Sequence, residues 1–128
     1  MATIIILDDN KSGFTLLKMA LSRHHYRVHQ AANLQEALDR PVDSAPRLVL
    51  INHAFGNRRG WEIFNQLKHI SGHLPALVYV LEHINGANID WIVKAVQAVL
   101  GEAKHPVTPS VPGRFQLSRY RGICFNGM

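Results

Sequence analysis

Two adjacent carboxylates, Asp8 and Asp9, and one amide, Asn52, are the residues whose types and settings point to chemistry. A carboxylate pair can hold a hard divalent cation, because magnesium and calcium take oxygen ligands. Asn52 ends the apolar run 48–51 and precedes a loop with Gly56, Arg58, Arg59 and Gly60. An amide is a very poor nucleophile. It removes one formal negative charge from a pocket and adds an NH2 donor for neighbouring carboxylates. It can equally end a strand and cap the loop that follows. Arg58 and Arg59, with Lys94 or Lys104, are candidate internal counter-ions for the acidic pair in place of a metal.

No other constellation competes. Eight histidines are scattered; His24 and His25 are adjacent, and His69 and His73 have Gly72 between them, so neither pair has a zinc-site pattern. There is no glycine-rich nucleotide loop and no nucleophile elbow. A non-enzymatic protein without a cofactor is expected.

The elements that must position these residues alternate in period. TIIIL (3–7) is a short β-branched run stopped by Asp8, Asp9 and Asn10. Residues 12–24 then space Phe14, Leu17 and Leu21 helically, with Ser12 as a candidate N-cap. YRVHQA (26–31) alternates like a strand, and Asn33 with Glu36 is placed as a capping box for a helix. RLVLIN is the next strand, and Trp61, Phe64, Leu67 and Ile70 form a helical stripe after it. LPALVYVLE (74–82) is again apolar, and Ile89, Ile92, Val93, Val96, Val99 and Leu100 predict a helix ending at Gly101. Strands separated by helices predict an α/β doubly wound parallel sheet covered on both faces. The site of such a sheet lies beyond the carboxyl ends of its strands, where the strand order reverses.

IIILDDN, YRVHQAANLQEAL, RLVLIN, Gly60 eight residues after Asn52, and LPALVYVL together resemble the receiver domain of response regulators in two-component signalling. The resemblance covers about the first 100 residues in order and spacing. It implies a five-stranded flavodoxin-like domain whose acidic pair and phosphoacceptor aspartate bind magnesium. A Thr or Ser after strand four and a Lys after strand five contact the phosphoryl group. Asp8 and Asp9 match the acidic pair, Asn52 falls on the phosphoacceptor, Val80 on the hydroxyl residue, and Gly56 where a proline is common. The lysine is Lys94 or Lys104. Three arrangements remain open after strand four. Residues 86–96 resemble the family's fifth strand but also read as a helix; strand five can lie in AKHPVTP; or the helix is the last one, with helix four and strand five lost. The chain is thus expected to be a pseudo-receiver without phosphoacceptor chemistry and with a remodelled helix four–strand five region. A weak magnesium site at Asp8 and Asp9 is the most that metal chemistry would retain.

Composition bounds the rest. The 128 residues, 47% apolar and 18% charged, suit one soluble domain. No apolar run approaches the roughly 20 residues of a membrane helix. The start has no basic n-region or cleavage site, so no signal peptide is expected. The single cysteine, Cys124, allows no intrachain disulfide and suits the cytoplasm. Residues 1–103 hold ten basic and nine acidic side chains, whereas 104–128 add Lys104, Arg114, Arg119 and Arg121 and no acid. The expected organisation is a receiver-like domain, 1–103, followed by a proline-containing linker and a basic, partly apolar tail, 104–128. Trp91, Phe115, Tyr120, Arg119 and Arg121 are candidate interaction residues, and residues 115–128 are expected to serve association and not folding. The expected role is a protein-interaction module of a signalling pathway or phosphorelay, with a homodimer in view. The competing class is a nucleic-acid-associated regulator using its basic tail, which a steep salt dependence of DNA binding would reveal.

Overall fold

A computed structural model describes residues 2–80 and 86–101, together with a short strand at 124–126. Three apolar runs and the alternating segment form four parallel strands, β1 (Thr3–Leu7), β2 (Arg27–Gln30), β3 (Leu48–Asn52) and β4 (Ala76–Tyr79). Between them run α1 (Lys11–Ser22), α2 (Leu34–Leu38), a 3-10 turn at Val42–Ser44, the single turn α3 (Phe55–Arg58), and α4 (Gly60–Ile70). After β4 come α5 (Gly86–Leu100) and β5 (Cys124–Asn126). The sheet order is β2-β1-β3-β4-β5. The expected doubly wound α/β sheet is therefore present, and its order reverses between β1 and β3.

The two-residue period of a strand explains how unbroken apolar runs serve two cores. Ile4, Ile6, Leu48, Leu50, Leu77 and Tyr79 point to one face, where Leu17 and Leu21 of α1 meet Ile92, Val93 and Val96 of α5. Ile5, Leu7, Val49, Ile51, Ala76 and Val78 point to the other, against Leu34 and Ala37 of α2 and Phe64 and Leu67 of α4. Every residue of β1, β3 and β4 is buried, as a sheet covered on both faces requires.

Helix ends follow local chemistry. Asn33 caps α2 as expected, its Oδ1 accepting the Glu36 N–H at 2.8 Å. The cap of α1 is Asn10 and not Ser12: Asn10 holds the extended backbone a cap needs, and its Oδ1 accepts the Gly13 N–H at 3.0 Å. Ser12 already lies inside the first turn. The stripe of α4 is also narrower than expected. Gly60, Phe64 and Leu67 are buried, while Trp61 and Ile70 are 43% and 65% exposed.

The region after β4 is where the chain departs most from the resemblance. Only residues 80–85 separate β4 from α5, too short a span for a helix and a strand. The segment 86–96 is helix, not strand, and it packs beside α1 on the first core. Of the three arrangements left open, this is the one in which the helix is the last and a helix–strand unit has been lost. The edge that strand five would occupy is taken by β5, antiparallel to β4 through Val78↔Cys124, Leu77↔Phe125 and Ala76↔Asn126. Strand five thus does not come from 86–96, and AKHPVTP lies outside the described residues. Residues 124–126 fall in the segment expected to be tail, and that part of it belongs to the sheet.

Candidate functional site

The carboxyl ends of β1, β3 and β4 bring Asp8, Asn52 and Tyr79 together. Asn52 and Tyr79 are register partners across β3 and β4, and Asp8 follows β1, which pairs β3 up to Leu7↔Ile51. Asp8 is 2% exposed, Tyr79 1% and Asn52 8%. A carboxyl group buried this far needs donors, and those it has among the described residues are neutral. The Tyr79 hydroxyl donates to Asp8 Oδ2 at 2.7 Å, and the Asn10 N–H donates to Asp8 Oδ1 at 2.8 Å. Gln30 Nε2 donates to the Asp8 carbonyl at 2.8 Å, tying the end of β1 to β2.

Asp9 turns the other way and is exposed. Its Oδ2 accepts the Gly56 N–H at 2.8 Å. Gly56 (φ 61) and Asn57 (φ 68) are both left-handed, which breaks the turn α3 at its middle and aims the Gly56 N–H at Asp9. Glycine and asparagine are the residues that enter this region most readily. Asn52 is also engaged, its Oδ1 accepting the Ala54 N–H at 2.9 Å in an Asx turn. This is the loop-capping role open to a strand-ending asparagine.

The acidic pair is thus split, and each of the three side chains that would face a cation already accepts from the protein's own N–H or O–H. Two carboxylates pointing to different partners and an amide oxygen spent on its own loop do not fit a magnesium site. No group of three or more His, Cys, Asp or Glu side chains able to hold a metal occurs among the described residues.

The expected cationic partner of the pair is corrected in part. Arg59 Nε pairs with Glu62 Oε2 at 2.9 Å and Nη2 with Oε1 at 3.3 Å, one turn along α4. Its side chain is spent locally, where an i,i+3 partner is close without ordering a longer reach. Lys94, a candidate for the phosphoryl-contacting lysine, lies on the exposed side of α5 and pairs with Asp90 at 3.2 Å. The Arg58 side chain lies outside the described residues, as do Lys104, Phe115, Arg119, Tyr120 and Arg121. Val80 follows β4 directly and supplies no hydroxyl; Trp91 is 37% exposed on α5.

Tyr79 was the residue missed. Its signal was present, since a phenol inside an apolar strand has to find a partner for its hydroxyl. Burial, with the neighbouring Asp8 charge and hydrogen bond, pushes the Tyr79 phenol well above its ordinary range. Tyr79→Phe should cost about 1.5–3 kcal/mol at neutral pH, the worth of a hydrogen bond to a charged group, read by urea unfolding. The sign with pH follows from the raised value. The phenol's contribution is whole below the unfolded pKa of about 10 and fades as pH climbs toward the higher folded value. The wild type should therefore lose stability above about pH 10, and Tyr79→Phe should lose that share of the slope.

With this geometry in view, the likeness to solved proteins is specific in fold. The non-phosphorylated HemR receiver domain from Leptospira biflexa is 20% identical to this chain, with a TM-score of 0.53 over 94% of each chain. A response regulator from Thermotoga maritima is likewise 20% identical, with a TM-score of 0.53 over 93% of each. The chain has the fold of a response-regulator receiver domain. No protein-family model and no curated protein matches its sequence. No helix among the described residues is long and apolar enough to cross a membrane.

Proposed function

We propose that this chain is a pseudo-receiver, a signalling module that binds a protein partner without passing through a phosphorylated state. The observation that carries this reading is the pocket in which Asn52 stands at the phosphoacceptor position while Asp8, Asp9 and Asn52 are all engaged by internal donors. Phosphoryl transfer to a carboxylate needs a nucleophilic oxygen and a cation to neutralise crowded charge. Asn52 lacks the first, and the split acidic pair does not assemble a site for the second. The receiver fold then serves as a binding surface. A shallow groove between α1 and α5, floored by Ile89 and Val93 and flanked by exposed Leu16 and Met19, supports that role.

The test is incubation with a small-molecule phosphodonor and magnesium, followed by intact-mass measurement. The 14.4-kDa chain should remain unmodified. An added phosphoryl group that disappears in Asn52→Ala would overturn the reading.

A further inference from the structure

β2 is the outermost strand on one side of the sheet, and among the described residues no strand pairs with its outer edge. The Arg27 and Ala31 N–H groups donate to the Ala2 and Ile6 carbonyls, so the odd-numbered residues of this segment bond toward β1. The two-residue period then turns the N–H and C=O groups of Val28 and Gln30 outward, where they are open to another strand. Val28 lies in the core beneath α1 and α5 and Ala31 in the core beneath α2, which puts Arg27 and His29 on the α2 side of the sheet. Arg27 is exposed there.

Positive charge surrounds this edge. The His29 imidazole is held below its ordinary range by burial and then by the charges of Arg40, Lys18 and Arg27, so cations from the end of α2, from α1 and from β2 itself converge on the strand. No carboxylate offsets them. Among the described residues the ion pairs are Arg59–Glu62 and Lys94–Asp90, and Asp39, next to Arg40 in sequence, makes none. Arg40 Nε donates to the Ser44 carbonyl at 3.0 Å, which steadies the side chain and leaves its terminal nitrogens for a ligand. We infer that the outer edge of β2 takes up an extended acidic segment of a partner protein, which adds to the sheet as a further strand and sets its carboxylates against Arg27 and Arg40. Strand addition of this kind draws affinity from main-chain hydrogen bonds and specificity from alternate side chains. Charge complementarity selects the occupant. A second copy would bring its own Arg27 and Arg40 to a basic edge, and like charges disfavour that pairing. Residues 104–128 of this chain carry no acid, so they do not supply the segment. Nucleic acid would match the charge but not the alternating N–H and C=O groups, and the exposed aromatic rings that could stack bases, Trp61 and Trp91, are on α4 and α5.

This deepens the interaction-module reading by naming a surface and the chemistry of its partner, and it rests on that reading only for its biological use. The inert pocket is tested separately by the phosphodonor experiment, so either can fail alone.

The probe is a short fluorescein-labelled peptide alternating Glu and Val, titrated with the full-length chain and followed by anisotropy. Saturable binding is expected, and the matching Lys–Val peptide should not bind. Arg27→Glu should weaken the Glu–Val peptide by about tenfold or more, because it sets like charges face to face. Lys68→Glu makes the same change in net charge at an exposed position on α4 and should leave the affinity within about twofold, since distant surface charges are screened. Amide hydrogen exchange on the wild-type chain, read by NMR with the peptide saturating, tests the strand pairing itself and stands whatever the variants do. The Val28 and Gln30 N–H groups should slow by about tenfold or more, while Arg27 and Ala31, already bonded to β1, stay unchanged. Failure of the Glu–Val peptide to bind, equal losses in the two variants, or binding that leaves Val28 and Gln30 exchange unaltered overturns the proposal. So does tighter binding of an oligothymidylate that protects neither amide.

Discussion

Gly60→Ala is expected to lower the thermal midpoint by roughly 10–20 °C, the result of a loss of about 3 kcal/mol in a domain of this size. A Cβ at residue 60 would collide with the Asn52 carbonyl oxygen and lie 2.6 Å from His53 Cα and 2.8 Å from the His53 oxygen. All three are backbone atoms at the end of β3, so none can swing aside as a side-chain tip would. The Gly60 N–H also donates to the His53 carbonyl at 3.1 Å, which fixes the start of α4 against that strand end. Space, and not an unusual φ, is what requires glycine here. Gly56→Ala is the control. Gly56 is left-handed, φ 61, but a Cβ there would come no closer than 3.9 Å to Arg59 Cβ. Only backbone strain of about 1–2 kcal/mol applies there. Calorimetry of both variants checks the order; equal midpoints would contradict it.

Gly60 also shows what could be read from the sequence. Its spacing from Asn52 was visible, but its cause, the closeness of α4 to the end of β3, is a distance between elements and appears only in three dimensions. The strands were legible because three apolar runs are bounded by polar residues and β2 alternates, and the α5 pattern because Ile89, Ile92, Val93 and Val96 keep helical spacing. What periodicity could not say was which layer position that helix fills. Its packing beside α1 and the six-residue span from β4 decide this. β5, with three residues, is too short to show any period. In the site, Asp8, Asp9 and Asn52 were all identified, but their partners were not. A sequence displays residue types, whereas Tyr79 on Asp8 and Gly56 on Asp9 join positions 71 and 47 residues apart. Charge alone had suggested Arg59 for the acidic pair, and the nearer Glu62 took it.

Asn52→Asp combined with Tyr79→Phe should strengthen magnesium binding at the acidic pair. Aspartate is close to isosteric with asparagine, and its carboxylate can still accept the Ala54 N–H that Asn52 Oδ1 accepts at 2.9 Å. Phenylalanine keeps the buried ring of Tyr79 but withdraws the hydroxyl from Asp8 Oδ2. The pocket would then hold three carboxylates, one of them relieved of its strongest internal donor. Without a cation their mutual repulsion should lower the thermal midpoint. With magnesium the folded state should be stabilised by mass action, by about 2.7 kcal/mol once the ion is at 100 times its dissociation constant. Affinity should exceed that of the wild type by about 10–100-fold, the scale on which ligand and outer-shell changes act at metal sites. Thermal unfolding across a magnesium series, with Trp61 beside the loop as fluorophore, reads both effects. A wild-type chain that gains as much stability from magnesium as the double variant would contradict the description of its acidic pair as internally satisfied.

The antiparallel β5 has a consequence for the chain while it is being made. Its partner strand β4 ends at Tyr79, and β5 begins at Cys124. The 44 residues between, 80 to 123, have to be translated before the sheet can acquire its outermost strand. At about 5–20 residues per second, β4 spends roughly 2–9 s as an uncovered rim on the nascent polypeptide.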